Sequence, residues 1–183
     1  MSTFLQRCLG AARLDGRVYE DVEADERSTG QAMLVVALSS LAAGIGAIDQ
    51  LDTPGIAMAV VVSVIAWFVW AALVRFIGTR LLPERETEAD LGQVVRTTGF
   101  SAAPGLLQVL GIVPRLGPIV GVVTNVWMLA AMVVAVQHAL DYTSTVRAIV
   151  VTVLGFLAFI AVLEAAALFT GINLGLVEAL RAS

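Results

Sequence analysis

Long apolar runs separated by short charged stretches are the feature that most limits how this chain can fold. A helix that crosses a bilayer needs about 20 mostly apolar residues. Four runs in the sequence approach that length, and a fifth is interrupted. The composition agrees, because 58% hydrophobic and 14% charged residues leave too few polar side chains to cover a soluble domain of 183 residues. The sequence therefore predicts an all-α membrane protein.

The expected architecture is a polytopic membrane bundle of five transmembrane helices with an N-terminal cytoplasmic amphipathic helix. The bundle occupies residues 29–172, between a cytoplasmic arm of residues 1–28 and a short C-terminal tail of residues 173–183. We expect the transmembrane helices at about residues 30–48, 55–76, 91–113, 116–138 and 147–170.

The third apolar run leaves two alternatives open. Residues 99–113 are too short to cross a bilayer alone, and Pro104 interrupts them. Extending the run back to Leu91 gives enough length, and Pro104 then becomes a mid-helix kink that neighbouring helices must accommodate. The alternative is a re-entrant hairpin that enters and leaves on the same side.

The distribution of arginine predicts the orientation. All 11 basic residues are arginine. In the five-span layout only Arg115 and Arg181 lie on one side of the membrane. The other side holds the arginines at positions 7, 13, 17, 27, 75, 80, 85, 96 and 147. Because basic residues collect in cytoplasmic loops, we expect the N terminus inside the cell and the C terminus outside.

The arm contains a short amphipathic segment. The apolar side chains of residues 4–12 share one arc of a helix. We expect this helix to lie on the inner leaflet, with Arg7, Arg13 and Arg17 at the lipid headgroups. Packing of the arm on the other cytoplasmic loop is the alternative. The acidic stretch of residues 20–26 is expected to be solvated.

Several function classes are excluded by the residues that the chain lacks. A net charge of −4 without a basic face argues against nucleic-acid binding. With one cysteine, Cys8, and one histidine, His138, a Cys/His metal site has too few ligands, so we expect no metal and no cofactor. The chain shows no nucleophile triad and no Gly-rich phosphate loop. We therefore predict that it is not an enzyme.

Three polar side chains are expected at similar depths in the outer half of the membrane, and a fourth is expected near them in the short outer loop. They form the outer cluster: Gln108, Arg115, Asn125 and Glu164. An ionisable group inside a span is costly and is a candidate functional residue. The cluster is either a proton or ligand site around a neutral Glu164 or a set of interhelical hydrogen bonds that fixes the packing.

A second group of polar residues is expected at the cytoplasmic surface. It forms the inner cluster, a predicted structural lock or interaction site: Arg96, Asp141, Tyr142 and Arg147. Asp141 at a helix C terminus opposes the helix dipole, so either Arg96 or Arg147 is expected to supply a nearby cation. Pro104 is a further candidate for a structural role.

Several of these residues carry a resemblance to a known family. The stretches at residues 96–105 and 135–142, together with Trp127, Arg147 and Ala148, resemble the bacterial branch of the Yip (Ypt/Rab-interacting protein) family. The resemblance implies five spanning helices with a cytoplasmic N terminus, and we expect the protein in the bacterial inner membrane. Eukaryotic members are linked to Rab-type GTPases, but their Asp-Leu-Tyr-Gly-Pro motif is absent here, so no GTPase partner is implied.

The residues favour a non-enzymatic integral membrane protein that acts through protein or lipid contacts, as a scaffold, an assembly factor or an accessory subunit. One alternative is a small transporter or channel-like protein with a polar path around Glu164. Another is a lipid-binding or membrane-shaping protein that acts through the arm. The expected partners are membrane lipids and other membrane proteins or a second copy of the chain.

Overall fold

The computed structural model of the protein describes residues 3–47, 53–85 and 87–170, and for residues 164–170 it describes the helix without the side chains. All regular structure in these residues is helical. The α-helices are α1 (Phe4–Ala12), α2 (Gly16–Ala24), α3 (Ser28–Gly46), α4 (Thr53–Phe76), α5 (Leu91–Phe100), α6 (Gly117–Ala139) and α7 (Thr145–Thr170). A π-helical turn continues α4 and a 3₁₀ helix follows α5, at Ile77–Leu81 and Ala103–Ile112.

Within the described residues, four helices are long and apolar enough to cross a membrane: Ser28–Gly46, Thr53–Leu81, Gly117–Ala139 and Thr145–Leu163. Compared with the spans predicted at 30–48, 55–76, 116–138 and 147–170, their starts differ by at most two residues and their ends by up to seven. The chain is therefore an all-helical, multi-pass membrane protein. The expected count of five spanning helices is not confirmed, because the third run does not form one continuous helix.

The third apolar run forms two short helices joined by a turn. α5 begins with a capping box, in which the Asp90 carboxylate accepts a hydrogen bond from the Gln93 backbone N–H at 2.8 Å and the Gln93 side chain bonds back to Asp90. The 3₁₀ helix begins at Ala103, with Pro104 in its first turn. Pro104 is therefore not the mid-helix kink that we expected. It occupies a helix start, where its missing N–H interrupts no helical ladder.

These two short helices run beside α3 in the same direction. Gly99 of α5 lies against Ala32 near the start of α3, and Gly111 of the 3₁₀ helix lies against Gly46 at its end. Each short helix has ten residues, so together they reach about 35 Å when placed end to end. The third run thus extends along the height of α3, although no single helix of spanning length forms there.

The core of the bundle is built from large side chains on the facing sides of the helices. Trp67 and Trp70 of α4, Phe100 of α5 and Val151 of α7 belong to one buried hydrophobic cluster. The Trp67 indole N–H donates to the Thr98 hydroxyl of α5 at 3.1 Å. This satisfies a polar atom that would be costly to bury alone.

The arm folds back onto the bundle. α2 packs against α5 and α6, and α1 packs against α2, α6 and the 3₁₀ helix. Tyr19 of α2 is completely buried and donates to the Ala11 carbonyl at 3.1 Å. Ser28, the first residue of α3, donates to the Val22 carbonyl at 2.8 Å. These contacts join the arm to the bundle as one packed unit.

Candidate functional site

Arg7 lies inside the packed arm. Only 4% of the residue is exposed, and its guanidinium donates to Asp21 at 3.0 Å, Asp25 at 2.8 Å and Gln31 at 3.1 Å. Our expectation that Arg7 meets the lipid headgroups is therefore wrong. A buried guanidinium needs partners for its N–H groups, and Asp21 on α2, Asp25 just after α2 and Gln31 on α3 supply them.

α1 is attached near the middle of α6. The Trp127 indole N–H donates to the Ala12 carbonyl at 2.6 Å, and the rings of Phe4 and Phe100 lie 6.5 Å apart. Trp127 is twelve residues before the end of α6 at Ala139, so its indole reaches α1 from the middle of α6. α1 thus packs beside a membrane-spanning helix.

Arg96 holds the end of α2. Only 6% of the residue is exposed. Its guanidinium donates to the Val22 and Glu23 carbonyls, and the distance from Nε to the Glu23 carbonyl is 3.0 Å. The last carbonyls of a helix have no intrahelical donors and carry the negative end of the helix dipole. Arg96 satisfies both requirements for α2, which explains an arginine at this depth of α5.

Glu23 lies at the junction of α2, α5 and α6. Gln93 donates to its carboxylate at 3.0 Å. Burial, followed by repulsion from Asp141, raises the pKa of Glu23 to about 7. Nearby, the His138 ring stacks on Tyr19 with 6.1 Å between the ring centroids. This region contains a cavity of ≈ 260 Å³ lined by Glu20, Glu23, Gln137, His138, Asp141 and Tyr142.

Asp141 terminates α6 through its backbone conformation. It has a left-handed φ of 52°, its N–H bonds to the His138 carbonyl at 3.0 Å, and the next N–H, of Tyr142, bonds to the Gln137 carbonyl at 2.9 Å. This is a Schellman motif, whose left-handed position accepts aspartate more readily than most side chains. The motif gives a local reason for an acidic residue at a helix C terminus.

Tyr142 and Arg147 hold the loop that follows α4. The Tyr142 hydroxyl donates to the Gly78 and Leu82 carbonyls at 3.0 and 2.8 Å, which closes the π-helical turn, and burial raises the pKa of this hydroxyl to about 12. Arg147 donates to the Pro83 carbonyl at 2.8 Å and lies 3.5 Å from Glu84.

The Glu84 carboxylate also accepts hydrogen bonds from the Thr143 backbone N–H and hydroxyl, at 2.9 and 2.8 Å. These two donors, followed by the charge of Arg147, lower the pKa of Glu84. The predicted inner cluster therefore divides into two ties: Arg96 binds α2, whereas Tyr142 and Arg147 bind residues 78–84.

The outer cluster lies at the opposite end of α6. Gln108, Arg115 and Asn125 line one open cleft of ≈ 450 Å³ together with several glycines. The Asn125 amide donates to the Gly121 carbonyl of its own helix at 2.8 Å, so it does not bridge two helices through this bond. The fourth member, Glu164, lies outside the residues whose side chains are described.

Arg115 occupies the second central position of a tight turn. Its φ is 72°, and the Leu116 N–H bonds to the Val113 carbonyl at 3.1 Å. With Pro114 before it, this matches a type II turn, in which the second central position favours glycine. The turn thus holds an arginine at the cleft in a backbone conformation that arginine rarely adopts.

The sequence matches the family model of the Yip1 domain over residues 16–166. The chain belongs to the Yip family. No curated protein and no solved structure matches it. The match begins at α2 and reaches into α7, so the Yip domain here includes both ties of the inner cluster and the outer cleft.

Sequence reasoning missed several residues that hold this Yip domain and its arm together. Asp21 lies on α2 and Asp25 directly follows this helix, and two acidic residues so close together were a usable signal for a nearby cation. Trp127 gave no indication that it binds Ala12, because the two residues are far apart in the chain. Glu84 likewise carried no local signal for its contacts with Thr143 and Arg147.

Proposed function

We propose that the protein is a non-enzymatic scaffold, assembly factor or accessory subunit of a membrane complex, which acts through contacts with other membrane proteins or a second copy of itself. One observation carries this proposal. The polar side chains that enter the described bundle, such as Arg96, Tyr142 and Trp127, bind backbone carbonyls of neighbouring elements. Because these side chains are already hydrogen-bonded within the fold, we place the functional contacts on the outer surface of the protein.

The arm offers the surface that suits a protein partner. The exposed face of α2 carries both signs of charge, with the side chains of Arg17 and Glu20 exposed by 88% and 67%. The outer faces of the spans instead present aliphatic residues such as Val122 and Ile65. A mixed-charge face gives specificity and orientation to a protein contact, so we place the docking surface on α2.

The proposed layout has five crossings in the bacterial inner membrane, with the N terminus in the cytoplasm and the C terminus outside. The arginine distribution supports this orientation. The path of the third run along α3, from Gly99 beside Ala32 to Gly111 beside Gly46, supports a fifth crossing.

The test is co-purification of the tagged protein from membranes after gentle detergent extraction and crosslinking, followed by mass identification. We expect a second chain, or a second copy, at constant stoichiometry. The variant Arg17→Glu reverses a charge on the proposed docking face, and the matched control Arg80→Glu reverses an exposed charge after α4. Capture should fall only with Arg17→Glu. Absence of any partner at constant ratio would refute the scaffold role, and equal loss in both variants would refute the α2 surface.

The outer cleft favours a second candidate function, a small transporter or channel-like protein. Gln108, Arg115 and Asn125 meet in one open cleft, and the strained turn at Arg115 keeps a guanidinium there. In this case Glu164 would continue the polar path. Proton flux into reconstituted vesicles, followed with an internal pH dye, tests this function.

Two variants separate transport from scaffolding. Glu164→Gln removes the titrating group, and Arg115→Gly removes the cation while a glycine keeps the turn. A transporter loses flux with either change. A scaffold shows no flux above protein-free vesicles in the unmodified chain, and both variants keep partner capture.

A third candidate is lipid binding through the arm. On α1, Leu5 and Leu9 are 66% and 49% exposed beside a membrane-spanning helix, which places apolar side chains toward lipid. The double variant Leu5→Gln, Leu9→Gln changes this face without touching Arg7. Unchanged lipid co-purification and unchanged vesicle shape would remove this candidate.

A further inference from the structure

A second cavity lies among the membrane-spanning helices, apart from the inner and outer clusters. It measures ≈ 230 Å³ and is lined by residues of α3, α4, α5, α6, α7 and the turn after α5. These include Val36, Trp67, Trp70, Met132 and Phe156. The cavity is open on one side, so its apolar lining makes close packing contacts only when an occupant enters from the surrounding medium. The size exceeds that of an engineered apolar cavity of about 150 Å³ that binds benzene.

The lining offers water very little polar surface. Two hydroxyls border the cavity, and both already bond within the protein: Ser63 donates to a carbonyl of its own helix at 2.8 Å, and Thr98 accepts from Trp67 at 3.1 Å. The indole N–H of Trp70 is shielded from a water-sized probe. A stable internal water needs two to four hydrogen-bond partners, so the cavity requires an apolar occupant.

The cavity opens toward the surroundings of the bundle. Val36, Trp67 and Trp70 at its floor are buried, whereas Ala66 is half-buried and Phe156 is 40% exposed. These residues belong to the predicted membrane-crossing parts of α3, α4 and α7. Lipid hydrocarbon is the medium that surrounds this part of a multi-pass membrane protein.

We propose that this cavity is a binding site for one acyl chain of a membrane phospholipid, which enters from the adjacent leaflet. The bound chain fills the gap between the helices and holds a lipid molecule against the protein. The inference depends on the membrane-spanning bundle and not on the scaffold role, so either can fail without the other.

The two tryptophans of the cavity provide the experiment. The chain has three tryptophans, and Trp127→Phe leaves only Trp67 and Trp70, which are 7% and 5% exposed. This variant is reconstituted in phosphatidylcholine vesicles with or without bromine atoms at mid-chain positions. Bromine quenches indole fluorescence on close contact, so an acyl chain in the cavity should quench the emission despite the burial of both rings.

A pair of variants on α4 distinguishes cavity lipid from surrounding lipid. Ala66→Phe fills the cavity, and the matched control Ile65→Phe adds a ring at a neighbouring position that is 59% exposed on the outer face. We expect bromine quenching to be lost with Ala66→Phe and retained with Ile65→Phe. Equal quenching in the two variants would overturn the proposal.

Two further outcomes are decisive. If the parent protein shows no quenching, no acyl chain reaches the two indoles and the acyl-chain site is refuted. If Ala66→Phe fails to fold by circular dichroism, Ser63→Leu fills the same rim with less added volume. The proposal then stands or falls on whether Ser63→Leu reduces quenching.

Discussion

Arg7 shows how one side chain changes the character of an element at the residue scale. By sequence it borders an apolar arc and suits a helix on a lipid surface. In the structure the same side chain turns toward α2 and binds Asp21 and Asp25, at 3.0 and 2.8 Å. Charge-assisted hydrogen bonds consequently fix α1 to α2 and to the residue that follows it, and the leucines of α1 face outward.

Replacing Arg7 with alanine removes the cation that Asp21 and Asp25 share. We expect Arg7→Ala to destabilise the packed arm by about 2–3 kcal/mol, because hydrogen bonds to charged groups and half-broken buried pairs carry that cost. Cys8 is a native reporter, since it is the one cysteine of the chain and is 5% exposed. Its labelling rate, relative to the denatured protein, should rise at least about tenfold.

The control is Arg17→Ala, which removes an exposed arginine from the same arm. Its partner Asp15 is two residues away, and we expect no measurable change in Cys8 labelling. Equal acceleration in the two variants would show that the Arg7 contacts do not hold the arm.

At the element scale, α3 and the 3₁₀ helix approach each other closely. A Cβ on Gly46 would meet the backbone carbonyl of Gln108, and a backbone atom has little freedom to move aside. We therefore expect Gly46→Ala to destabilise the bundle by about 2 kcal/mol or more, as overpacking does elsewhere. Thermal unfolding in detergent, followed by helical circular dichroism, measures the change.

Gly30 is the matched control within the same helix. A Cβ at Gly30 meets nothing within 4 Å, so Gly30→Ala should leave stability unchanged or raise it by up to about 1 kcal/mol through helix propensity. A Gly46→Ala variant as stable as Gly30→Ala would mean that the two elements are not in contact at this end.

The attachment of α2 is expected to depend on pH. The pKa of Glu23 rises from 4.5 to about 7 in the folded chain, so the folded state holds this proton more tightly than the unfolded state. The resulting stability is fully present below pH 4.5 and is lost as the pH rises through about 7. Because the Glu23 side chain is partly exposed and solvent screens its charge, we expect the free energy of unfolding to fall by about 1–2 kcal/mol over this pH range.

Cys8 labelling measures this dependence when each rate is divided by that of the denatured protein at the same pH. Labelling should accelerate as the pH rises, and Glu23→Gln should flatten the profile. Glu26→Gln changes an exposed carboxylate three residues away and should leave it intact. A Glu23→Gln profile that matches the parent would show that Glu23 is not the source of the pH dependence.

At the scale of the whole molecule, the third run decides the topology. If it crosses, the loop that contains Arg85 and the turn that contains Arg115 lie on opposite sides of the membrane. We expect Arg85→Cys to react only from the cytoplasm and Arg115→Cys only from outside, each in a Cys8→Ser background. Impermeant thiol reagents applied to intact cells and to inverted vesicles make the measurement.

A re-entrant hairpin gives a different result. Both cysteines would then react from the same side, and the five-crossing layout would be refuted. The rise of the two short helices, about 35 Å for twenty residues, is sufficient for a hydrocarbon core of about 30 Å. For this reason we expect the crossing result.

The membrane class, the four long spans and the family likeness followed from the sequence alone, because span length and hydrophobicity are local properties of the chain. The capping box that Asp90 and Gln93 form at the start of α5 is also a local feature of the sequence. The break at Ala103 was not predicted, since proline allows either a kink or a new helix start. The packing of the 3₁₀ helix against α3 and α6 favours the new helix start over the kink.

Tertiary structure alone decided which polar groups meet. Either Arg96 or Arg147 was expected to supply a cation near Asp141, but nothing in the sequence indicated that Arg96 binds the end of α2, at Glu23, 73 residues earlier in the chain. Arg147 binds Pro83 and Glu84. A buried polar side chain takes whichever carbonyl or carboxylate the fold brings within reach. Composition therefore determines that this chain lies in a membrane, whereas three-dimensional proximity determines how its few charges hold it together.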